Sequence, residues 1–334
     1  MLAGDPKQLG PTIREPTAAR AGLGMSIQER LLKLPLYKSG NINVMTRLVA
    51  NYRSNEALLT VPSKLFYEGS LQSLAPKEVA DPFEDFGDLG PKGFPLLLCN
   101  VRDGKERNKL DTPSFFNMEE CDAILALVKG LLNCKTKEGI PKLHTGQIAV
   151  ITPFRAQVLA LRTVLRSANL GGVNVGVVED FQGQEQKVVL ISTVLTRDHD
   201  RWNRQSAGGF HQANNGSKES VQGRLGFMHD PKRFNVAITR AHALCVIVGN
   251  AEYLESSGTY WTALIEHIRR NNGIVGEDRY DDEQGNTDDE DIYGVDDLLR
   301  RVEELRLLGS GFEDDMYDLS FYCSDAPQWK VMLS

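Results

Sequence analysis

Four short segments hold the side chains best suited to chemistry. Gly4-Asp5-Pro6-Lys7-Gln8-Leu9-Gly10-Pro11 combines two glycines and two prolines, which force a sharp preset loop, with an amide and two charges that project from it. Asn51-Tyr52-Arg53-Ser54 carries a guanidinium and is followed by Pro62-Ser63-Lys64-Leu65-Phe66-Tyr67-Glu68-Gly69. Glu179-Asp180-Phe181-Gln182-Gly183-Gln184-Glu185 links two apolar strands, so it lies at a sheet edge of the kind where open parallel sheets bind ligands. Lys232-Arg233-Phe234-Asn235-Val236-Ala237-Ile238-Thr239-Arg240-Ala241 places Arg240 one helix length from Arg233, just ahead of another strand. The six histidines show no metal-ligand spacing and read as ordinary, and the five cysteines contain no CxxC pair. Taken singly, each segment also has a plainer reading. The octapeptide equally fits an ordinary strand-to-helix turn, and a lone arginine is usually a solvated surface charge.

The elements that must position these segments follow from apolar periodicity. Asn117 to Asn133 predicts a helix: Asn117 is an N-cap with Glu120 three residues on, and Ile124, Leu127, Val128 and Leu131 share one face. Gln147 to Thr152 predicts a short buried strand, and Arg155 to Ser167 a helix with Val158, Leu161 and Leu165 on one side. Val173 to Val178, Val188 to Val194 and Leu244 to Val248 predict further strands, and Trp261 to Arg270 a closing helix. Strands alternating with helices imply an α/β fold with a parallel sheet covered on both faces. Residues 195–226 read as a mobile surface loop. Residues 277–297 read as disordered, and Val295 to Leu308 as a short terminal helix.

Charge is unevenly spread. The whole chain carries −7, but 17 acidic residues against four arginines put residues 277–318 at −13, and residues 319–334 are neutral, so residues 1–276 carry +6. A basic globular part with an acidic tail is an asymmetry seen in nucleic-acid-binding proteins. No apolar run approaches the roughly 20 residues needed to span a bilayer. The amino terminus has no signal-like segment, and the odd, scattered cysteines point to a reducing cytosolic or nuclear compartment.

In this order and at these intervals, the four segments resemble the later motifs of superfamily 1 helicases of the Upf-like branch: the GDxxQLGP loop, the NYRS segment, the FQGQE loop and the NVAITRA segment. Ile151-Thr152-Pro153-Phe154-Arg155-Ala156-Gln157 resembles a further motif of that family, one that touches the nucleic-acid backbone. Gly22-Leu23-Gly24-Met25-Ser26 and Gly93-Phe94-Pro95, with Pro113-Ser114-Phe115-Phe116-Asn117, are similar to the Armitage and Moloney leukaemia virus 10-like RNA helicases, which act in small-RNA silencing. The wording NYRSNEALL leans toward the germline, piRNA-pathway members. Two positions depart from the family pattern: Asn55 stands where histidine is usual, and Asp180 where glutamate is usual.

The resemblance implies a fold, a reaction and a division of the chain. Such helicases hydrolyse ATP, with Mg2+, between two RecA-like lobes. Residues 1–45 correspond to a remnant of the first lobe plus linker, residues 46–275 to the second RecA-like lobe, and residues 276–334 to an acidic, largely disordered tail. The GxxxxGK[ST] phosphate loop of a first lobe does not occur in these 334 residues. The chain thus reads as a carboxy-terminal portion, and by itself it is expected not to hydrolyse ATP. Arg53 and Arg240 are the implied arginines that meet the transferred phosphoryl group, a role that contributes about a thousandfold or more in rate. Gln8 would sense the γ-phosphate and position the attacking water. Gly183 and Glu185 would line the nucleotide, and Thr152 and Thr193 would hydrogen-bond RNA phosphates. The implied partners are single-stranded RNA and Argonaute/Piwi-type silencing proteins. The implied location is cytoplasmic, in ribonucleoprotein granules, with 5′ to 3′ movement along the strand. Two other readings stay open on the sequence: a truncated lobe that binds RNA or partners without catalysis, and a related DNA helicase.

Overall fold

Six short runs of apolar residues become the parallel strands of one sheet. The computed structural model describes residues 1–11, 13, 15–38, 43–83, 93–108, 114–196 and 230–276. These fall into two units, one ending at Arg47 and the other running from Leu48 to Gly276. Beyond Thr196 the expected surface loop lies outside the described residues, as do the acidic tail and the terminal helix Val295–Leu308.

In the first unit, helix α1 (Pro16–Arg20) has proline in its first turn, where the missing N–H costs nothing. Helix α2 (Ile27–Leu32) is capped by Ser26, whose Oγ accepts from the Glu29 N–H at 3.1 Å. A last turn of helix, α3, covers Pro35–Lys38.

The second unit opens with β1 (Ala50–Asn51), α4 (Glu56–Phe66), β2 (Gln72–Ser73) and α5 (Lys77–Ala80). It continues through β3 (Leu96–Asn100), the antiparallel pair β4 (Glu106–Asn108) and β5 (Phe115–Asn117), and α6 (Met118–Asn133). Next come β6 (Ile148–Thr152), α7 (Arg155–Ser167), β7 (Asn174–Val177) and β8 (Gln186–Ser192). The unit closes with α8 (Pro231–Ile238), β9 (Ala241–Gly249), α9 (Ala251–Ser256), α10 (Thr259–Arg270) and β10 (Ile274–Val275). The six-stranded sheet has the order β10-β3-β9-β8-β6-β7, and every neighbouring pair is parallel. A wholly parallel sheet needs cover on both faces. Helices α6 and α7 cover one face through Ile124, Leu127, Leu131, Val158, Leu161 and Leu165. Helices α4 and α10 pack on the same sheet, against β9 and β3, and bring in Trp261, Leu264 and Ile268. This is the α/β architecture that the strand and helix pattern predicts, and it is consistent with the RecA-like lobe that the resemblance implies.

Leu190, at the centre of β8, is fully buried in the α6/α7 core. Leu190→Ala is expected to destabilise this unit by about 2–5 kcal/mol, because the packed sheet cannot collapse into the space left. Urea unfolding followed by circular dichroism measures it, and a loss below about 1 kcal/mol would contradict the packing described.

Candidate nucleotide edge and nucleic-acid edge

Backbone stitching brings Arg53 beside Arg240. Asn51 turns the chain after β1 by accepting from the Arg53 and Ser54 N–H groups, each at 2.9 Å. The buried Ser54 Oγ donates to the Ala241 carbonyl at 2.8 Å, and the Asn55 N–H donates to the His242 carbonyl at 2.8 Å. Arg53 is thereby fixed to the amino end of β9, immediately after Arg240. Asn55, the residue that departs from the family pattern, caps α4 with its Oδ1 on the Ala57 N–H at 2.9 Å.

Arg240 itself is only 3% exposed. Its Nε donates to the Val236 carbonyl at 2.9 Å, Nη1 to the Gln184 carbonyl at 3.3 Å, and Nη2 to Thr239 Oγ1 at 2.9 Å. The contact with Gln184 binds the NVAITRA segment to the FQGQE loop, and the Gln186 N–H returns a hydrogen bond to the Arg240 carbonyl at 3.0 Å. Gly183 lies in that loop at φ +78°, a left-handed backbone that glycine adopts without a Cβ penalty. Glu185 ends the loop and forms an ion pair with Arg53 Nε. Its other oxygen stands 3.4 Å from His242 Nε2, within ion-pair reach though without a well-aligned hydrogen bond. Burial holds the His242 imidazole below the ordinary histidine range, against the opposing pull of Glu185 and with Arg53 adding to it.

The cluster therefore comprises Arg53, Gly183, Glu185, Arg240 and a residue that the sequence reading passed over, His242. It sits at the amino ends of β8 and β9. The expectation that the FQGQE loop marks the usual ligand edge is corrected here, because that edge of an open parallel sheet is the carboxyl one. After β7 the chain makes one 3-10 turn, Val178–Phe181, buries Phe181, and delivers Glu185 to the start of β8. In that turn Asp180, the second departure from the family pattern, accepts from the Val177 N–H at 3.0 Å. Arg233, one helix length before Arg240, is held by Glu179 at 2.8–2.9 Å.

Gln8 belongs to the first unit, where its side chain donates to Asp5 Oδ2 at 3.0 Å and its N–H to the Asp5 carbonyl at 3.2 Å. The Lys7 N–H donates to Asp5 Oδ1 at 2.9 Å, so Asp5 shapes the preset loop.

Thr152 and Thr193 lie at the carboxyl ends of β6 and β8, and both are fully buried. Thr193 Oγ1 donates to the Val248 carbonyl at 3.2 Å, and a Cβ at position 249 would overlap that hydroxyl, so only glycine fits there. Thr152 Oγ1 has no hydrogen-bond partner among the described residues. A buried polar network fills the space beside them. Asn117 Oδ1 accepts from the Glu120 N–H at 3.1 Å, and Gln157 Nε2 donates to the Asn117 carbonyl at 3.2 Å and to Ser192 Oγ at 2.9 Å. Ser192 Oγ in turn donates to Glu120 Oε2 at 2.5 Å. Burial pushes the Glu120 carboxyl up to about 8, against the lowering effect of the hydrogen bonds from Ser192 and Val194. Gln157 belongs to the segment that resembles a backbone-touching motif, and here its side chain ties α7 to β8 and α6.

Among the described residues no group of three or more His, Cys, Asp or Glu side chains is arranged to hold a metal ion, and no helix is long and apolar enough to cross a membrane.

The chain matches the model of a family described as an AAA domain over residues 23–252. It is 37% identical to the RNA helicase Mov10l1 of Homo sapiens over 286 residues, which cover 83% of this chain and 22% of that protein. It is 37% identical to MOV-10 of Gallus gallus over 284 residues, 80% of this chain and 28% of that protein. It is 30% identical to a Drosophila melanogaster protein named "Probable RNA helicase armi" over 296 residues, 83% of this chain and 23% of that protein. The chain thus spans about a quarter of the length of these curated relatives.

Proposed function

Because the chain belongs to the Armitage and Moloney leukaemia virus 10-like helicases of the AAA-domain family, we propose that residues 48–276 are the arginine-donating lobe of an ATP-dependent RNA helicase motor. One observation carries this reading. Two arginines from segments 187 positions apart in the chain are locked together at one sheet edge, beside a glycine loop and a carboxylate.

ATP is the substrate in this reading, and the residues present fit its polyphosphate. Arg53 is about one-third exposed, and among the described residues its partner of opposite charge is Glu185. A γ-phosphate can take its guanidinium from that carboxylate without opening the core. Arg240 is held by two carbonyls and a hydroxyl, so engaging a phosphate means exchanging those contacts for phosphate oxygens. Both charges sit on packed elements. They meet the negative charge that grows in the transition state with little reorganisation, which is where preorganised charge contributes most. Glu185, once released by Arg53, is free to accept from a ribose hydroxyl. Magnesium and the remaining phosphate contacts belong, in this reading, to a preceding lobe.

The opposite, carboxyl edge is proposed to carry single-stranded RNA. The Thr152 hydroxyl, buried at that edge and without a hydrogen-bond partner among the described residues, and the +6 charge of residues 1–276 support that assignment. Backbone contacts of this kind bind without sequence preference. The further reading is a motor that steps 5′ to 3′, acts in piRNA-type silencing with Argonaute/Piwi-type partners, and resides in cytoplasmic granules.

With saturating single-stranded RNA, the 334-residue chain alone is expected to show no ATP turnover. Joined behind the first lobe of a relative, it is expected to hydrolyse ATP when single-stranded RNA is added, and less with single-stranded DNA. Turnover by the 334 residues alone would contradict the division of labour between lobes. A chimera stimulated equally by DNA would remove the RNA reading in favour of a DNA motor.

A further inference from the structure

The chain leaves β8 through a turn with no sequence signature. Val194 has φ +70°, and the Leu195 N–H donates to the Thr193 carbonyl at 2.8 Å. This is a three-residue turn in its rare, strained, left-handed form. A β-branched residue there is an outlier, and such strain persists only where the surroundings over-determine it. Here the surroundings are the first turn of α6. The Val194 N–H donates to both oxygens of Glu120, at 2.9 and 3.0 Å, and the Val194 carbonyl accepts from Asn117 Nδ2 at 3.1 Å. Both sides of the strained residue are thus held by two side chains: the Glu120 carboxyl is anchored by Ser192 Oγ, and Asn117 is anchored through its backbone, its N–H donating to Gln157 Oε1 and its carbonyl accepting from Gln157 Nε2.

We propose that Asn117 and Glu120 form a latch on the Val194 turn, and that Glu120 is the positioning residue that keeps the carboxyl edge of the sheet, with Thr152 and Thr193, in the shape that receives RNA. The ligand rests on the RNA reading above; the latch rests on geometry alone. Glu120 touches no ligand. It acts by deciding whether the chain at Thr193–Leu195 stays turned against the end of β8. An ordinary buried network would show the same hydrogen bonds, but it would not depend on the conformational preference of residue 194.

That dependence is the test. The full 334-residue chain is compared with its Glu120→Ala, Val194→Gly and double variants. Amide hydrogen exchange at Leu195 reads the turn, and anisotropy titration of a labelled single-stranded oligouridine reads RNA affinity. Glu120→Ala is expected to raise Leu195 exchange by about tenfold or more and to weaken oligouridine binding by about fivefold or more. Adding Val194→Gly, which adopts positive φ without strain, is expected to return both to within about threefold of the parent. Removing a further side chain does not repair a simple core defect, so the rescue separates latch from packing. Unchanged exchange in Glu120→Ala overturns the latch, and so does a double variant no better than the single one. Rescued exchange with RNA affinity unmoved overturns the positioning role. A parent chain that binds no oligouridine overturns the RNA reading, and Leu195 exchange then decides the latch by itself. Should Glu120→Ala fail to fold, Ser192→Ala removes one anchor of the carboxyl group and is put through the same comparison.

Discussion

In a helicase that carries this lobe behind a complete phosphate-binding lobe, Arg240→Ala lowers kcat for ATP about a thousandfold or more and leaves single-stranded RNA affinity within about threefold. In the proposed role the charge is needed where the phosphoryl group becomes more negative, so its loss is expected to fall on the chemical step more than on substrate binding. RNA affinity is spared because Arg240 sits at the amino ends of β8 and β9, whereas Thr152 and Thr193 lie at the carboxyl ends of β6 and β8. Arg240→Lys is expected to recover little. One ammonium cannot reproduce the forked donors that reach the Val236 and Gln184 carbonyls and Thr239 together. Steady-state kinetics with an RNA-binding control measure both arms, and an unchanged kcat would take Arg240 out of the chemistry.

The second large effect is on stability. The folded Glu120 carboxyl titrates near 8, while an ordinary glutamate titrates near 4.5. Between those values the folded protein holds a proton that the unfolded chain has released. Stability from this group is therefore complete below about pH 4.5 and is lost as pH rises through 8. The size is on the order of a few kcal/mol, since one unit is worth about 1.4 kcal/mol. Burial, with Glu120 adding to it, pushes the neighbouring Cys99 and Cys121 thiols up to about 11 and about 12, beyond this window. Glu120→Gln stays neutral throughout. The difference in urea-unfolding free energy between parent and variant should move in the variant's favour from pH 5 to pH 8.5. A pH-independent difference would show that Glu120 is ionised in the fold.

The elements that the sequence announces are those with one dominant signal. Helix α6 begins where Asn117 and Glu120 place it, and β6, β8 and β9 follow uninterrupted aliphatic runs. Helix α4 is masked by Pro62, a helix-breaking residue in its interior, although Asn55 and the apolar Leu58, Leu59 and Leu65 mark it in retrospect. Strand β8 stops at Ser192 rather than Val194 because the latch overrides the strand preference of valine. In the site, Arg53, Glu185 and Arg240 are singled out by the order and spacing of the segments that carry the family resemblance, whereas residue type alone would leave each as an ordinary surface charge. His242 was not legible, because its role arises only when Glu185 is folded across from a segment more than fifty residues away. Which edge of the sheet holds the arginines was also hidden, since it depends on how the chain crosses the sheet after Phe181.

The hydrogen bond from Ser54 to the Ala241 carbonyl spans 187 positions of sequence. On the ribosome, Arg53 and Ser54 emerge long before the strand that will hold them. Closing so long a loop is slow, and contacts of this separation form late in folding. Until β9 is laid down beside β8, Arg53 lacks both the Thr239 carbonyl, to which its Nη1 donates at 3.5 Å, and the folded position of Glu185, and a chain interrupted anywhere before Ala241 cannot assemble the pair of arginines at all. In the proposed reading, the capacity to meet a phosphate thus doubles as a completeness check: only a lobe translated and folded nearly as far as β10 acquires it.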